Sequence, residues 1–369
     1  MIWKLTDNRD WAALEKQFSW VADMQYVEQH ALFHAEGNVA IHTQKVLEEL
    51  SKLPAYRNLS EQNQEMLWAA ALMHDLEKRS TSVDEGDGVI TALGHARRGE
   101  KTAREILFRE IKTPFKIREQ IASLVRLHGL PLWLLEKPDR QKRVLEASFR
   151  VNLSFLKMIA EADARGRICT DLDALLYSLE LFELYCKEQD CWEHEKRFAS
   201  PAARYHYFSH EKGYVDYVPF ENFKCKVLLL SGLPGMGKDY YIQSLDSDIP
   251  VISLDAIRRK HKISPVDKRR NGWVVQEAKE QVKAHLRAGQ DFIWNATNIT
   301  GLMRKQLVDL FVGYGAYVKM VYLEKPYKVW REQNRNRAYP LPEDVLDKML
   351  HNLEIPLKTE AHEVEYFCE

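Results

Sequence analysis

Between Leu228 and Tyr241 the chain reads LLLSGLPGMGKDYY. Gly232, four intervening residues, then Gly237 and Lys238 is the spacing with which a glycine-rich turn points backbone N–H groups at phosphate oxygens, while the lysine reaches the outer phosphates. Gly232, Gly235, Gly237 and Lys238 therefore form a candidate cradle for ATP or another nucleoside triphosphate with Mg2+. The usual motif continues with a Ser or Thr hydroxyl for the magnesium ion; here the next residue is Asp239. A carboxylate is also a hard oxygen ligand, so Asp239 either serves the ion or caps the start of the helix that follows.

A phosphoryl donor needs an acceptor site. In SLDAIRRK, Asp255 falls at the end of a short apolar run, where a carboxylate can take the proton of an attacking hydroxyl and Arg258 or Arg259 can hold a neighbouring phosphate. The other reading of Asp255 is a cap for a helix beginning at Ala256. WNATNIT precedes Arg304, and REQNRNRAYPLPEDVL clusters Arg331, Arg335 and Arg337. Such arginines either close over donor phosphates or decorate a solvated helix face. The basic stretch RRKHKISPVDKRR suits a polyanionic acceptor or a solvated loop.

The first half carries different chemistry. His74-Asp75 sits in the apolar helical stretch AAALMHDLEK, where burying both groups is costly unless a partner such as a divalent metal satisfies them. Lys78, four residues on, falls on the same helix side as His74. Further candidates are His34 and His42 in FHAEGNVAIHTQKVL, His95 in LGHARRGE, His128 in ASLVRLHG, and Asp163 with Arg167 in IAEADARGR.

Two kinds of element must position these groups. From about residue 11 to 196 apolar residues recur at three- and four-residue intervals, which predicts an all-α domain over residues 1–200. Residues 201–222, aromatic-rich and broken by Pro201, Gly213 and Pro219, read as a connection. Over 223–369 the buried-strand candidates KVLLLSG, IPVISLD, DFIWNATN and YVKMVYLE alternate with helical segments. That alternation predicts a parallel sheet flanked by helices. The expected fold class is multidomain, α followed by α/β.

The 369 residues carry a formal net charge of −1, so nucleic-acid contact would rest on local basic patches. Five cysteines without a C-x-x-C pair suit reduced thiols. MIWKLTDNRDW lacks a signal-peptide profile, and no apolar run reaches membrane-spanning length. The expectation is a cytoplasmic protein with no membrane partner.

The order glycine loop, LDAIRR, NATN and an arginine-rich segment ending PLPEDVL resembles the 5′-polynucleotide kinase branch of P-loop phosphotransferases. The resemblance implies Asp255 as general base toward a 5′-hydroxyl, Arg258 gripping the adjacent phosphate, and Arg335 or Arg337 acting on the donor. Asn295 departs from it, since relatives often carry Asp there, as does Asp239. The order His…His-Asp…His…His…Asp resembles the HD phosphohydrolase superfamily. It implies that His42, His74, Asp75, His95, His128 and Asp163 hold one or two metal ions (Mn, Co, Ni, Zn or Fe), with His34 a further ligand or a phosphate contact. Lys78 and Arg167 would then bind phosphate or form helix salt bridges.

The two halves together resemble the bifunctional bacterial end-healing enzymes of the HD–polynucleotide kinase type. The resemblance implies a phosphohydrolase removing 2′,3′-cyclic, 2′- or 3′-phosphates, a 5′-hydroxyl kinase, RNA or DNA ends as substrates, and cooperation with a polynucleotide ligase. The rival expectation is a P-loop kinase for a nucleoside or sugar, fused to a regulatory or nucleotide-hydrolysing HD domain.

Overall fold

The computed structural model describes residues 2–368 except Ala31, Pro265, Val266 and Ala338, with the side chain of Lys268 also left out. Pro265 and Val266 of the basic stretch thus lie outside the described residues. The chain divides into two compact units, Met1–Arg197 and Phe198–Glu369. No helix among the described residues is long and apolar enough to cross a membrane.

The first unit is helical. Its principal helices are α1 (Val39–Lys52), α2 (Glu61–Met73), α3 (His95–Arg109), α4 (Phe115–Leu127), α5 (Leu153–Gly166) and α6 (Leu172–Glu188). Caps fix where they start: Asn38 accepts from the Ile41 N–H at 3.0 Å, and Asn152 from the Ser154 N–H at 2.9 Å, each satisfying an otherwise orphaned donor. Residues Glu65 to Met73 of α2 are all buried, so α2 is the central helix, apolar on every side. Where α5 meets α1 the backbones approach so closely that a Cβ on Gly166 would stand 2.8 Å from the Val46 side chain. That approach sets Asp163 beside His42. The all-α expectation has one small exception, an antiparallel ribbon of Val83–Asp84 with Ile90–Thr91. Its turn, with Gly86, Asp87 and Gly88 all at positive φ, is a hairpin signal inside an otherwise helical pattern.

The second unit begins earlier than its first strand. Pro201–Ser209 is a helix, α7, and Tyr205 on it joins the core cluster of the sheet domain. Ser200 accepts from the Ala203 N–H at 3.1 Å and Pro201 occupies the first helical turn, where its missing N–H costs nothing. In the segment 201–222, Pro201 therefore starts an element.

Five parallel strands follow: β1 (Cys225–Ser231), β2 (Val251–Ser253), β3 (Phe292–Asn295), β4 (Ala316–Glu324) and β5 (Glu363–Cys368), in the order β2-β3-β1-β4-β5. Between them run α8 (Lys238–Ser244), α9 (Leu254–Lys260), α10 (Lys268–Ala288), α11 (Gly301–Gly313), α12 (Tyr327–Arg335) and α13 (Glu343–His351). Val274, Ala278, Val282 and Leu286 of α10 and Leu307, Val308 and Phe311 of α11 pack with Val227, Trp294 and Met320 of the sheet. Four of the strands lie on the four apolar runs; β5 is additional. None of its residues EVEYFC is fully buried, in keeping with its place at the edge of the sheet. The chain leaves β1 toward β2 on one side and leaves β3 toward β4 on the other. The carboxyl ends of β1 and β3 thus flank the switch point at which such sheets bind ligands.

Candidate metal centre and nucleotide site

In the first unit the helix ends deliver the histidines. His74 directly follows α2, His128 directly follows α4, and His95 opens α3; His42 and Asp163 stand within α1 and α5. The Nδ1 atoms of His74, His95 and His128 lie 2.7, 2.7 and 2.8 Å from the carbonyl oxygens of Ala71, Ala92 and Val125. A carbonyl can only accept, so each Nδ1 carries a proton and each ring turns its Nε2 the other way, toward the centre.

Those nitrogens converge on carboxylates. His74 Nε2 is 3.1 Å from Asp75 Oδ2; His42 Nε2 is 3.2 Å from Asp163 Oδ1 and 3.7 Å from Asp75 Oδ2. His95 Nε2 is 3.4 Å and His128 Nε2 4.0 Å from the other oxygen, Asp75 Oδ1. The donors fall into the groups His42–His74–Asp163 and Asp75–His95–His128, each with its ligand atoms within 4.8 Å of one another. Metal–nitrogen bonds of about 2.1 Å join donors at such separations.

Three observations show that the residues fit metal ions. The Nε2 atoms of His42 and His74 are buried without a hydrogen-bond partner among the described residues. His95 and His128 bring two acceptor nitrogens within 3.3 Å, an arrangement that a cation between them relieves. Burial holds His128 down at about 3, hence neutral and ready to ligate. For Asp75 burial opposes ionisation, but His74 and Lys78 outweigh it and hold the carboxyl well below the usual range. Burial likewise opposes ionisation of Asp163, where Arg167 and His42 prevail.

His34 belongs to a third group, with Glu36 and His42. Its Nδ1 lies 2.9 Å from Glu36 Oε1, which is also 2.8 Å from His42 Nδ1, and Glu36 Oε2 accepts from the Ile168 N–H at 2.8 Å. Burial pushes the His34 imidazole down to about 4 despite Glu36. Glu36, whose side chain is fully buried, is the functional residue missed in the sequence reading: it holds the far side of the His42 ring. Lys78 Nζ bonds Asp75 Oδ2 at 2.8 Å and Gln29 Oε1 at 2.6 Å. Arg167 forks onto both oxygens of Asp163 at 3.1 and 2.7 Å. Both cations are salt-bridged to the centre's carboxylates, and both line a cleft of about 720 Å3 that opens onto them.

In the second unit the glycine loop joins β1 to α8 at the switch point. Gly232 has φ of +147°, and a Cβ there would stand 2.5 Å from the Leu323 carbonyl oxygen; only glycine fits. Gly235 and Gly237 also take positive φ. Lys238 Nζ donates to the Gly232 and Leu233 carbonyls at 2.9 Å each. Burial brings its pKa down to about 8, partly offset by the charges of Asp239 and Asp255 and reinforced by Arg337.

Asp239 is not the helix cap. Gly237 holds that position without any side-chain bond, and Asp239 Oδ1 instead accepts from Asn295 Nδ2 at 2.7 Å. Asp255 is not a cap either: Ser253 accepts from the Ala256 N–H at 3.3 Å. That leaves the exposed Asp255 carboxylate free to pair with Arg258 Nη1 at 2.5 Å, while Arg258 Nε donates to Asn271 at 2.6 Å. The motif NATN is structural at its second asparagine: Asn298 Nδ2 donates to the Leu230 carbonyl at 2.6 Å and its own carbonyl accepts from Ser231 at 3.0 Å.

The arginines separate by role. Arg304 is buried, forked onto Glu360 at 2.6 and 2.9 Å and bonded to the Glu354 carbonyl at 2.7 Å. Arg331 is buried between Glu343 and Asp347. Arg335 is largely exposed, 3.6 Å from Glu343. Arg337 is half-buried and its Nη1 has no hydrogen-bond partner among the described residues, while its charge bears on Lys238. Of the two, only Arg337 has a charge that bears on the lysine of the glycine loop. Trp330 ties α12 to that loop by donating to the Pro234 carbonyl at 2.7 Å.

Residues 227–356 match a family described as an AAA domain. Two solved structures are similar over part of the chain. One, described as "a putative kinase from chloroflexus aurantiacus j-10-fl", is 16% identical with a TM-score of 0.35, covering 40% of this chain and 86% of that one. The other, an unliganded sugar kinase from Janibacter sp. HTCC2649, is 18% identical with a TM-score of 0.30, covering 39% and 85%. The AAA-domain match falls on the unit that combines the glycine loop, its lysine and the five-stranded parallel sheet, the arrangement that cradles nucleotide phosphates.

Proposed function

We propose that the protein heals broken RNA or DNA ends. Its helical unit removes a 2′,3′-cyclic, 2′- or 3′-phosphate, and its P-loop unit transfers a phosphoryl group from a nucleoside triphosphate to a 5′-hydroxyl. One observation carries the reading: a chain with a P-loop and the pair Asp255 with Arg258 also gathers four histidines and Asp163 about Asp75.

In the kinase reaction the 5′-oxygen forms a bond to the γ-phosphorus as the bond to the β-phosphate oxygen breaks. Asp255 takes the hydroxyl proton, Arg258 holds the phosphate of the acceptor strand, and Lys238 and Arg337 hold the donor oxygens where charge accumulates. Mg2+ would be held through Asp239, oriented by Asn295. In the hydrolytic reaction water adds to phosphorus and the sugar oxygen leaves with a proton. Metal ions held by His42, His74, Asp75, His95, His128 and Asp163 would supply an acidified water and a clamp on phosphate oxygens. Lys78 and Arg167 keep the carboxylates ionised and add positive charge at the cleft floor. A ligase that joins 5′-phosphate to 3′-hydroxyl ends would consume the product.

The test is one RNA oligonucleotide bearing a 5′-hydroxyl and a 2′,3′-cyclic phosphate, incubated with ATP, Mg2+ and Mn2+. Healing of both ends is expected, with His74→Ala abolishing only the hydrolysis and Lys238→Ala only the phosphorylation. Phosphorylation of free nucleosides or sugars with no change at either oligonucleotide end would replace this reading by that of a small-molecule kinase.

A further inference from the structure

The cleft over the histidine centre holds more than phosphate chemistry needs. At about 720 Å3 it has the capacity of a site for a ligand of nucleotide size, whereas a phosphate group has only five heavy atoms. Its lining includes three large apolar side chains left open to water: Leu93 at 87%, Phe33 at 47% and Trp133 at 42% exposure. A single exposed apolar residue is ordinary. Three in one cleft are a feature of binding surfaces.

Each is tied to a histidine of the centre. Phe33 immediately precedes His34, and its ring packs 4.9 Å from that of His30. Leu93 lies two residues before His95. Trp133 follows His128 by five residues, on the short helix Leu130–Trp133, and its ring edge leans over the intervening turn, 3.9 Å from where a Cβ on Gly129 would be. Ile90, Leu127 and Leu130 add apolar surface, and charged groups stand among them. Beyond the metal-facing carboxylates the lining holds Arg126 and Lys137 with Glu28 and Asp171, while Arg143 is paired with Asp139; the first two cations offer partners for an anionic backbone.

We propose that this rim is a nucleobase subsite: Trp133, with Phe33 and Leu93 beside it, takes the base of the terminal nucleotide by stacking, while Arg126 and Lys137 receive the next phosphate of the strand. Stacking is indifferent to base identity because every base has a π-face, so the subsite selects a nucleotide end over a bare phosphate ester without selecting sequence. This rests on the phosphohydrolase reading above and adds to it the part of the substrate that the metal centre does not touch.

The experiment compares two 3′-phosphorylated oligonucleotides, identical except that one lacks the base of its terminal nucleotide. They are assayed with the metal-loaded full chain and with Trp133→Ala and Trp133→Phe. In Trp133→Ala the ratio of kcat/KM for the base-bearing end to that for the abasic end is expected to fall about tenfold, equivalent to about 1.4 kcal/mol. The loss should reside in KM, and Trp133→Phe should recover most of it. Equilibrium binding of the two oligonucleotides by fluorescence anisotropy should show the same ratio. An unchanged ratio in Trp133→Ala, or an equal loss on both ends, overturns the subsite while leaving the phosphohydrolase reading standing. Hydrolysis of a simple phosphate ester with neither oligonucleotide turned over by the unsubstituted protein overturns both.

Discussion

Asn295 donates a 2.7 Å hydrogen bond to Asp239, joining the end of β3 to the residue that follows the P-loop lysine. The pair holds one carboxylate and one neutral partner. In the usual arrangement the loop supplies the neutral hydroxyl and the strand supplies the acid. Here the two chemistries have changed places. Asp239→Ala should therefore raise the Mg2+ concentration for half-maximal nucleotide binding by roughly tenfold, the size of effect that ligand-shell contacts carry. The exchange Asp239→Ser with Asn295→Asp should recover most of it. Titration of a fluorescent ATP analogue against Mg2+ measures both; no recovery in the double variant would show that the carboxylate cannot be moved.

Glu36 backs His42 at 2.8 Å and His34 at 2.9 Å. Glu36→Gln keeps the shape and removes the charge. The expected result is a loss of metal affinity of about 10- to 100-fold, seen as lower bound metal per chain after dialysis, with kinase activity unaffected. Equal metal content in variant and parent would reduce Glu36 to a packing role.

Arg331 and Arg337 are six residues apart and should fail differently when cut to alanine. Arg331→Ala breaks the ties to Glu343 and Asp347 and should cost about 2 kcal/mol of stability, read as a lower melting temperature. Arg337→Ala removes a guanidinium whose Nη1 has no hydrogen-bond partner among the described residues. It should leave the melting temperature in place and lower kcat for phosphoryl transfer by about 10^3 or more, as loss of an arginine finger does. The reverse pattern would exchange their roles.

Lys238 links nucleotide binding to pH. Burial first, then Arg337, brings its pKa from 10.5 down to about 8, with Asp239 and Asp255 resisting. Above that pH the free protein has shed a proton that phosphate binding must restore, so ATP affinity should fall as pH rises through about 8. The unfolded chain keeps the proton up to about 10.5. This group alone therefore makes the free fold more stable as pH rises across that window. Lys238→Arg, always protonated, should flatten the affinity profile even where it weakens binding; calorimetry at pH 7 to 9.5 checks it.

Spacing made the glycine loop, Asp255, the histidine order and four strands legible, because each is a local pattern of residue types. What escaped depends on contacts between distant positions. Glu36 reads as one more surface acid until α1 and Ile168 enclose it. Arg304 reads like its neighbours on α11 until Glu360, 56 residues on, closes over it. Arg331, Arg335 and Arg337 are one basic cluster in the sequence; only the approach of α13 and the reach of Arg337's charge to Lys238 tell them apart. Pro201 marks a break by composition, yet with Ser200 before it the same residue starts a helix.

Arg304 also determines how this protein can be taken apart. Its partners Glu354 and Glu360 straddle residue 356, where the recognised family segment stops, and β5 pairs with β4 entirely beyond that point. At the other end Tyr205 plugs the sheet's core from 22 residues before the segment begins. A fragment trimmed to 227–356 would strand a buried guanidinium and uncover the backbone edge of β4, an invitation to aggregate. The smallest portable unit here runs from Phe198 through Cys368, and the borders of the family match are not the borders of the folding unit.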